Sequence, residues 1–171
     1  MATKNLTVKK DSLPSAADMR FGVVVSEWNG EVTGPLLDGA IRVLTRAGCD
    51  IGNITVKRVP GAFELPLGVQ FFAEYTDVDA VIALGCIIQG ETPHFDYVCQ
   101  GATQGITQLA ISWNMPVAFG VLTTGNLQQA LERAGGRLGN KGEEAAATAI
   151  KMVALQVEME QASEKPVATV N

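Results

Sequence analysis

Four short apolar runs, each handing over within a few residues to a stretch of helical period, restrict this chain more than anything else in it. The runs are Phe21–Val25, Ile54–Val59, Asp79–Ile88 and Pro116–Leu122. The third contains Ala80-Val81-Ile82-Ala83-Leu84, with no polar alternation. A run of that kind reads as a strand buried on both faces, as in a parallel sheet. After the first run, Leu37, Ala40, Ile41 and Leu44 fall at i, i+3, i+4 and i+7 in a helix that reaches Ala47 and stops at Gly48. A second helix is expected from Phe63 to Tyr75. A third follows Thr92 to about Asn114, with Val98, Ala102, Ile106, Leu109 and Trp113 on one side. Asn126 caps a short helix to about Ala134, which Gly135-Gly136 breaks. Asn140 caps the last helix, with Glu143 in the capping-box place and Ala146, Ala149, Ile150, Val153, Ala154 and Val157 as its buried stripe. Such alternation means an α/β fold, a four-stranded parallel sheet with helices on both faces. Right-handed crossovers then bring all four carboxyl-end loops to one edge, where open α/β sheets bind ligands.

The loop after the third strand holds the densest chemistry. It reads Gly85-Cys-Ile-Ile-Gln-Gly-Glu-Thr-Pro-His-Phe-Asp-Tyr97. Thr92 fits a helix N-cap and Pro93 the first helical position. A helix N-terminus offers free N–H groups to an anion, and Gly90 lets backbone approach one closely. His94, the one histidine of the chain, stands in that first turn as a proton carrier. Other groups share the edge. Trp28 is either interface packing or a platform for a flat ring. Glu64 is an early-turn acid or a ligand contact. Arg133, Arg137 and Lys141 form either a solvated basic cluster or a phosphate grip, which the planar arginine fork suits.

Length and composition narrow the classes. The 171 residues suit one core: residues 1–18 read as a loose arm, 19–162 as a single domain and 163–171 as a tail. An apolar share of 47% with only 18% charged residues suits a globular chain with surface covered by another subunit. The net charge of −5 argues against non-specific nucleic-acid binding. No apolar run spans a membrane and no signal core follows Lys4, Lys9 and Lys10, so a cytoplasmic protein is expected. Cys49, Cys86 and Cys99 lack metal-like spacing and read as reduced thiols, and with one histidine no metal site is expected. Neither a P-loop nor a Gly-x-Gly-x-x-Gly after the first strand is present, so no nucleotide or dinucleotide cofactor is expected.

Taken together, Val59 through Pro66, Leu84 through Val98, Phe119 through Asn126 and Glu132 through Gly142 resemble the lumazine synthase family, in order and spacing, over about Phe21 to Met159. The resemblance implies a flavodoxin-like αβα sandwich and a homopentamer with active sites between subunits. The implied reaction, part of riboflavin biosynthesis, condenses 5-amino-6-(D-ribitylamino)uracil with 3,4-dihydroxy-2-butanone 4-phosphate to 6,7-dimethyl-8-ribityllumazine, releasing phosphate and water, with no cofactor. By resemblance, Trp28 stacks on the pyrimidine ring. Ala62, Phe63 and Glu64 contact ring and ribityl chain, as do Cys86, Ile87 and Ile88. Glu91 and Thr92 are phosphate-side contacts, His94 transfers protons, and Phe119 is a pocket wall from the adjacent subunit. Arg133 holds the phosphate, with Lys141 as a nearby base. The implied partners are the two substrates, further copies of the chain and riboflavin synthase. The short connection between the last two helices is compatible with an icosahedral shell of pentamers. Trp28 stands where many members have Phe, Gln89 where many have Arg or Lys, and Pro93 where a second hydroxyl is common. A non-catalytic flavin- or lumazine-binding or cage-forming protein of the same fold, and an unrelated phosphosugar binder, are the competing expectations.

Overall fold

The structure, a computed structural model, describes residues 13–163. Strand β1 (Phe21–Ser26), helix α1 (Gly30–Arg46), β2 (Ile54–Val59), α2 (Leu65–Tyr75), β3 (Ala80–Ile88), α3 (His94–Ser112) and β4 (Val117–Thr124) follow in strict alternation. A short α4 (Leu127–Leu131), strands β5 (Ala134–Gly136) and β6 (Gly139–Asn140), and the long α5 (Lys141–Ser163) complete the described residues. The four long strands form one sheet in the order β2-β1-β3-β4, every pair parallel. That is the flavodoxin-like order, with its switch point between β1 and β3.

Strand alternation sorts the core into two layers. Val23, Val25, Ile82, Leu84 and Cys86 face one cluster with α1 and α5 residues such as Leu36, Leu44 and Ile150. Val24, Val81, Ala83 and Ile87 face the other, with Leu65, Val69 and Phe72 of α2 and Ile106 of α3. No described helix is long and apolar enough to cross a membrane.

Several boundaries differ from expectation, each for a local reason. The chain turns through a 3₁₀ segment at Ala62–Glu64 before α2, so the second helix starts at Leu65. The fourth strand continues to Thr124 because its last residues still pair with Ile87 and Ile88. The helix expected to reach Ala134 ends at Leu131, and Ala134 then pairs with Asn140 in a small antiparallel hairpin. Gly135 and Gly139, at φ +116° and +80°, permit that reversal. Asn140 does cap α5, its Oδ1 accepting from the N–H of Gly142 at 2.8 Å and Glu143 at 3.3 Å. Glu143, however, pairs with Arg42 on α1. Trp113 and Val157 lie outside the core, 44% exposed each, because their helices run past the layer they cover. Residues 1–12 of the expected arm and 164–171 of the tail fall outside the described residues. Leu13 and Ala16 lie against the core, and the Ala16 N–H donates to the Ala47 carbonyl.

Candidate active site

The switch point carries the first half of the site. Past the end of β1, the Glu27 N–H donates to the Val59 carbonyl and the Trp28 N–H to that of Pro60, joining the loops after β1 and β2. The Trp28 ring lies so close to Gly61 that a Cβ there would approach it to 2.8 Å. The Glu64 carboxylate accepts from the Gly61 N–H at 2.9 Å. Phe63 leans on α3 at Gly101. Trp28 and Phe63 are nevertheless 67% and 59% exposed, two large rings left uncovered.

Asn29, which the sequence marks only as a loop residue, fixes this arrangement. It adopts the left-handed conformation at φ 58°, and its Nδ2 donates to the Cys86 carbonyl at 3.1 Å across the switch point. The available signal was Asn-Gly at 29–30, a pair that tolerates positive φ. Of the three β3 residues expected at the site, Cys86 and Ile87 turn their side chains into opposite core layers and Ile88 packs half-buried on the α1/α5 side. What this stretch of strand offers a ligand is therefore mainly backbone. Burial, and secondarily the Glu31 carboxylate, push the Cys86 thiol up to about 11 from its ordinary 9.0. The folded chain keeps that proton where the unfolded chain loses it. Stability is therefore full below pH 9.0 and falls as pH rises toward about 11. Denaturant titrations of Cys86→Ala should show a smaller alkaline loss than the parent.

At the next loop the expected cap moves. Helix α3 begins at His94 with Pro93 in the cap position and no side-chain cap hydrogen bond, so Thr92 does not cap it. Proline at that position already sets the helical entry, and the Thr92 hydroxyl is left for another acceptor. Glu91, Thr92 and His94 are all exposed at this helix start.

The second half lies along the outer edge of β4. Phe119, Thr123, Thr124, Arg133, Lys141, Glu144 and Thr148 line a cavity of about 340 Å³. The Lys141 ammonium is paired with both oxygens of Glu144, at 2.8 and 2.7 Å. Arg137 is paired with Glu132. Arg133 donates from Nη1 to the Gln129 carbonyl at 2.9 Å and has no carboxylate partner among the described residues. Of the three cations in the expected basic cluster, it alone keeps its charge for a ligand.

Phe119 pairs with Ala83, five residues before the Ile88–Thr124 pair that closes the sheet edge. Five strand residues span roughly 16 Å, well beyond a phenylalanine side chain. Its ring cannot reach Trp28 in the same chain, and it is 43% exposed. Phe119 is thus separated from Trp28, and it lines the β4-edge cavity together with Arg133 and Lys141.

The geometry is that of a flavodoxin-like α/β protein with exposed rings, an exposed imidazole at a helix start and an arginine without a carboxylate partner among the described residues. The chain belongs to the 6,7-dimethyl-8-ribityllumazine synthase family, whose model matches residues 18–157. Proteins of that name from Phocaeicola vulgatus and Parabacteroides distasonis are 57% and 56% identical over 143 residues, covering 84% of this chain and 85% and 89% of those proteins. One from Cytophaga hutchinsonii is 53% identical over 153 residues, 90% of this chain and 96% of its own.

Proposed function

We propose that this chain condenses 5-amino-6-(D-ribitylamino)uracil with 3,4-dihydroxy-2-butanone 4-phosphate, forming 6,7-dimethyl-8-ribityllumazine with loss of phosphate and two waters. The observation that carries the reading is the setback of Phe119, whose ring its own chain cannot bring to Trp28. In this reading the active site forms between copies. One copy supplies Trp28, Ala62, Phe63, Glu64, the β3 backbone at Cys86–Ile88, Glu91, Thr92 and His94. Its neighbour supplies Phe119, Arg133 and Lys141. The exposed rings of Trp28, Phe63 and Phe119 become covered when the copies meet, which supports a ring of subunits, read here as a pentamer.

The chemistry follows from those positions. Trp28 stacks on the pyrimidine and Glu64, held by the Gly61 N–H, faces the ribityl chain. Arg133 of the neighbour and the start of α3 take the phosphate. Bringing amine and ketone together removes much of the barrier. The ring amine adds to the ketone and water leaves. Phosphate is then expelled, its developing charge met by the guanidinium. Expulsion leaves an enol at the neighbouring hydroxyl-bearing carbon, which ketonises; the ribityl-bearing amine attacks that new carbonyl, and a second water leaves as the ring closes. Each step moves protons, which His94 relays.

Mixing the two substrates with the chain and following lumazine fluorescence tests the reading. A protein that only binds lumazines gives no burst of product above the uncatalysed rate. His94→Ala is expected to lose roughly 10–100-fold in kcat, since positioning survives. Full turnover in that variant would remove His94 from the mechanism.

A further inference from the structure

We propose that Asn140 is a positioning residue for the phosphate-holding arginine, clamping the Arg133–Lys141 hairpin to helix α1. The inference rests on the assignment of Arg133 to the phosphate. Asn140 touches no substrate in this reading and acts through its backbone and amide.

A cap alone needs only an acceptor, and Oδ1 serves that purpose at the Gly142 and Glu143 N–H groups. The amide's other half does something a cap does not require. Its Nδ2 donates at 2.8 Å to the carbonyl of Pro35, 105 residues away on α1. Asparagine supplies donor and acceptor on two separate atoms of one short side chain, whereas ionised Asp lacks the donor and Ser or Thr has one oxygen for both directions. The side chain occupies a fitted slot. It is 8% exposed, and a Cβ on Gly39 of α1 would come within 2.6 Å of Oδ1. Left without its acceptor, the Nδ2 would be a partly buried polar donor, so the tie resists breaking.

Arg133 is attached to this clamp on both sides. Asn140 pairs with Ala134, the residue after Arg133, across the β5–β6 ladder. Lys141, the residue after Asn140, donates its N–H to the Arg133 carbonyl at 2.9 Å. The ladder itself is too short to hold a guanidinium steady, with strands of three and two residues. Rigid placement of Arg133 therefore comes from the amide that joins this hairpin to α1 and α5. A displacement near 1 Å at a substrate-positioning group is enough to cost on the order of 10²-fold.

The test is steady-state kinetics on the assembled full chain with each substrate varied in turn, for Arg133→Ala, Asn140→Asp and Asn140→Ser. Asn140→Asp keeps the cap oxygen and loses the donor to Pro35. Its KM for the butanone phosphate is expected to rise by about 10-fold, with the uracil KM moving less than about threefold and the circular dichroism unchanged. A purely structural role would instead lower the folded fraction and leave both KM values alone, which would overturn the inference. Asn140→Ser, a smaller cap also lacking the amide, makes the same test if the aspartate variant does not fold. A large Arg133→Ala effect beside Asn140 variants that shift both KM values alike would overturn the clamp only. An unchanged phosphate-substrate KM in Arg133→Ala would overturn the phosphate assignment, and the clamp with it.

Discussion

Arg133→Ala is expected to raise the KM for the butanone phosphate by about 100-fold while moving that for the ribitylaminouracil by less than about threefold. Hydrogen bonds to a charged partner contribute about 1.5–3 kcal/mol, and the upper end of that range is two decades in affinity. The asymmetry follows from the charges around it. Lys141 is committed to Glu144 and Arg137 to Glu132, whereas Arg133 spends one N–H on the Gln129 carbonyl. Removing it leaves the anion facing cations whose charge is already met. Equal losses for both substrates would contradict the assignment. A mixing experiment extends the same idea. His94→Ala and Arg133→Ala chains refolded together should recover part of the parent's activity at low phosphate substrate, because some sites then pair the intact His94 of one variant with the intact Arg133 of the other. No recovery would contradict sharing of the site.

The largest expected effect on stability belongs to Gly142→Ala. A Cβ at that position would lie 1.9 Å from the Leu36 carbonyl oxygen and 2.6 Å from its carbon. Both are backbone atoms, so no side chain can swing aside. Helices α1 and α5 would have to part, at a cost on the order of 3 kcal/mol or more. The same movement would pull Asn140 away from the Pro35 carbonyl. Gly34→Ala is the matching control, since nothing lies within 4 Å of its Cβ. Inside α1 it should stabilise by about 0.5–1 kcal/mol. Urea unfolding of the pair, read as midpoints at constant slope, separates the two outcomes.

Much of this molecule is legible in its residues, and the parts that are not share a cause. The unbroken run Ala80–Leu84 announces a doubly covered strand, and its place inside the sheet follows. Gly48 and Asn126 act where their chemistry says they should, Asn126 Oδ1 accepting from the Gln129 N–H. The hairpin at 134–140 escapes notice because strands of two or three residues carry no period to read. Thr92 misleads because threonine before proline looks like a cap until Pro93 takes the position itself. At the site, nothing local to Phe119 reveals that it stands level with Ala83, since register is a property of two strands. The resemblance supplied that wall to the pocket. Pattern alone also placed Arg133 among equals, and only the pairing of Arg137 and Lys141 with carboxylates singles it out.

The five-residue setback of Phe119 from the sheet edge has a consequence for how such a catalyst behaves when it is scarce. On the proposed sharing of the site, with the flat-ring bed on one molecule and the guanidinium wall on another, an isolated molecule would be inert however well it folds. Catalytic output per milligram then obeys mass action. It holds steady at high concentration and collapses on dilution below the dissociation constant of the assembly.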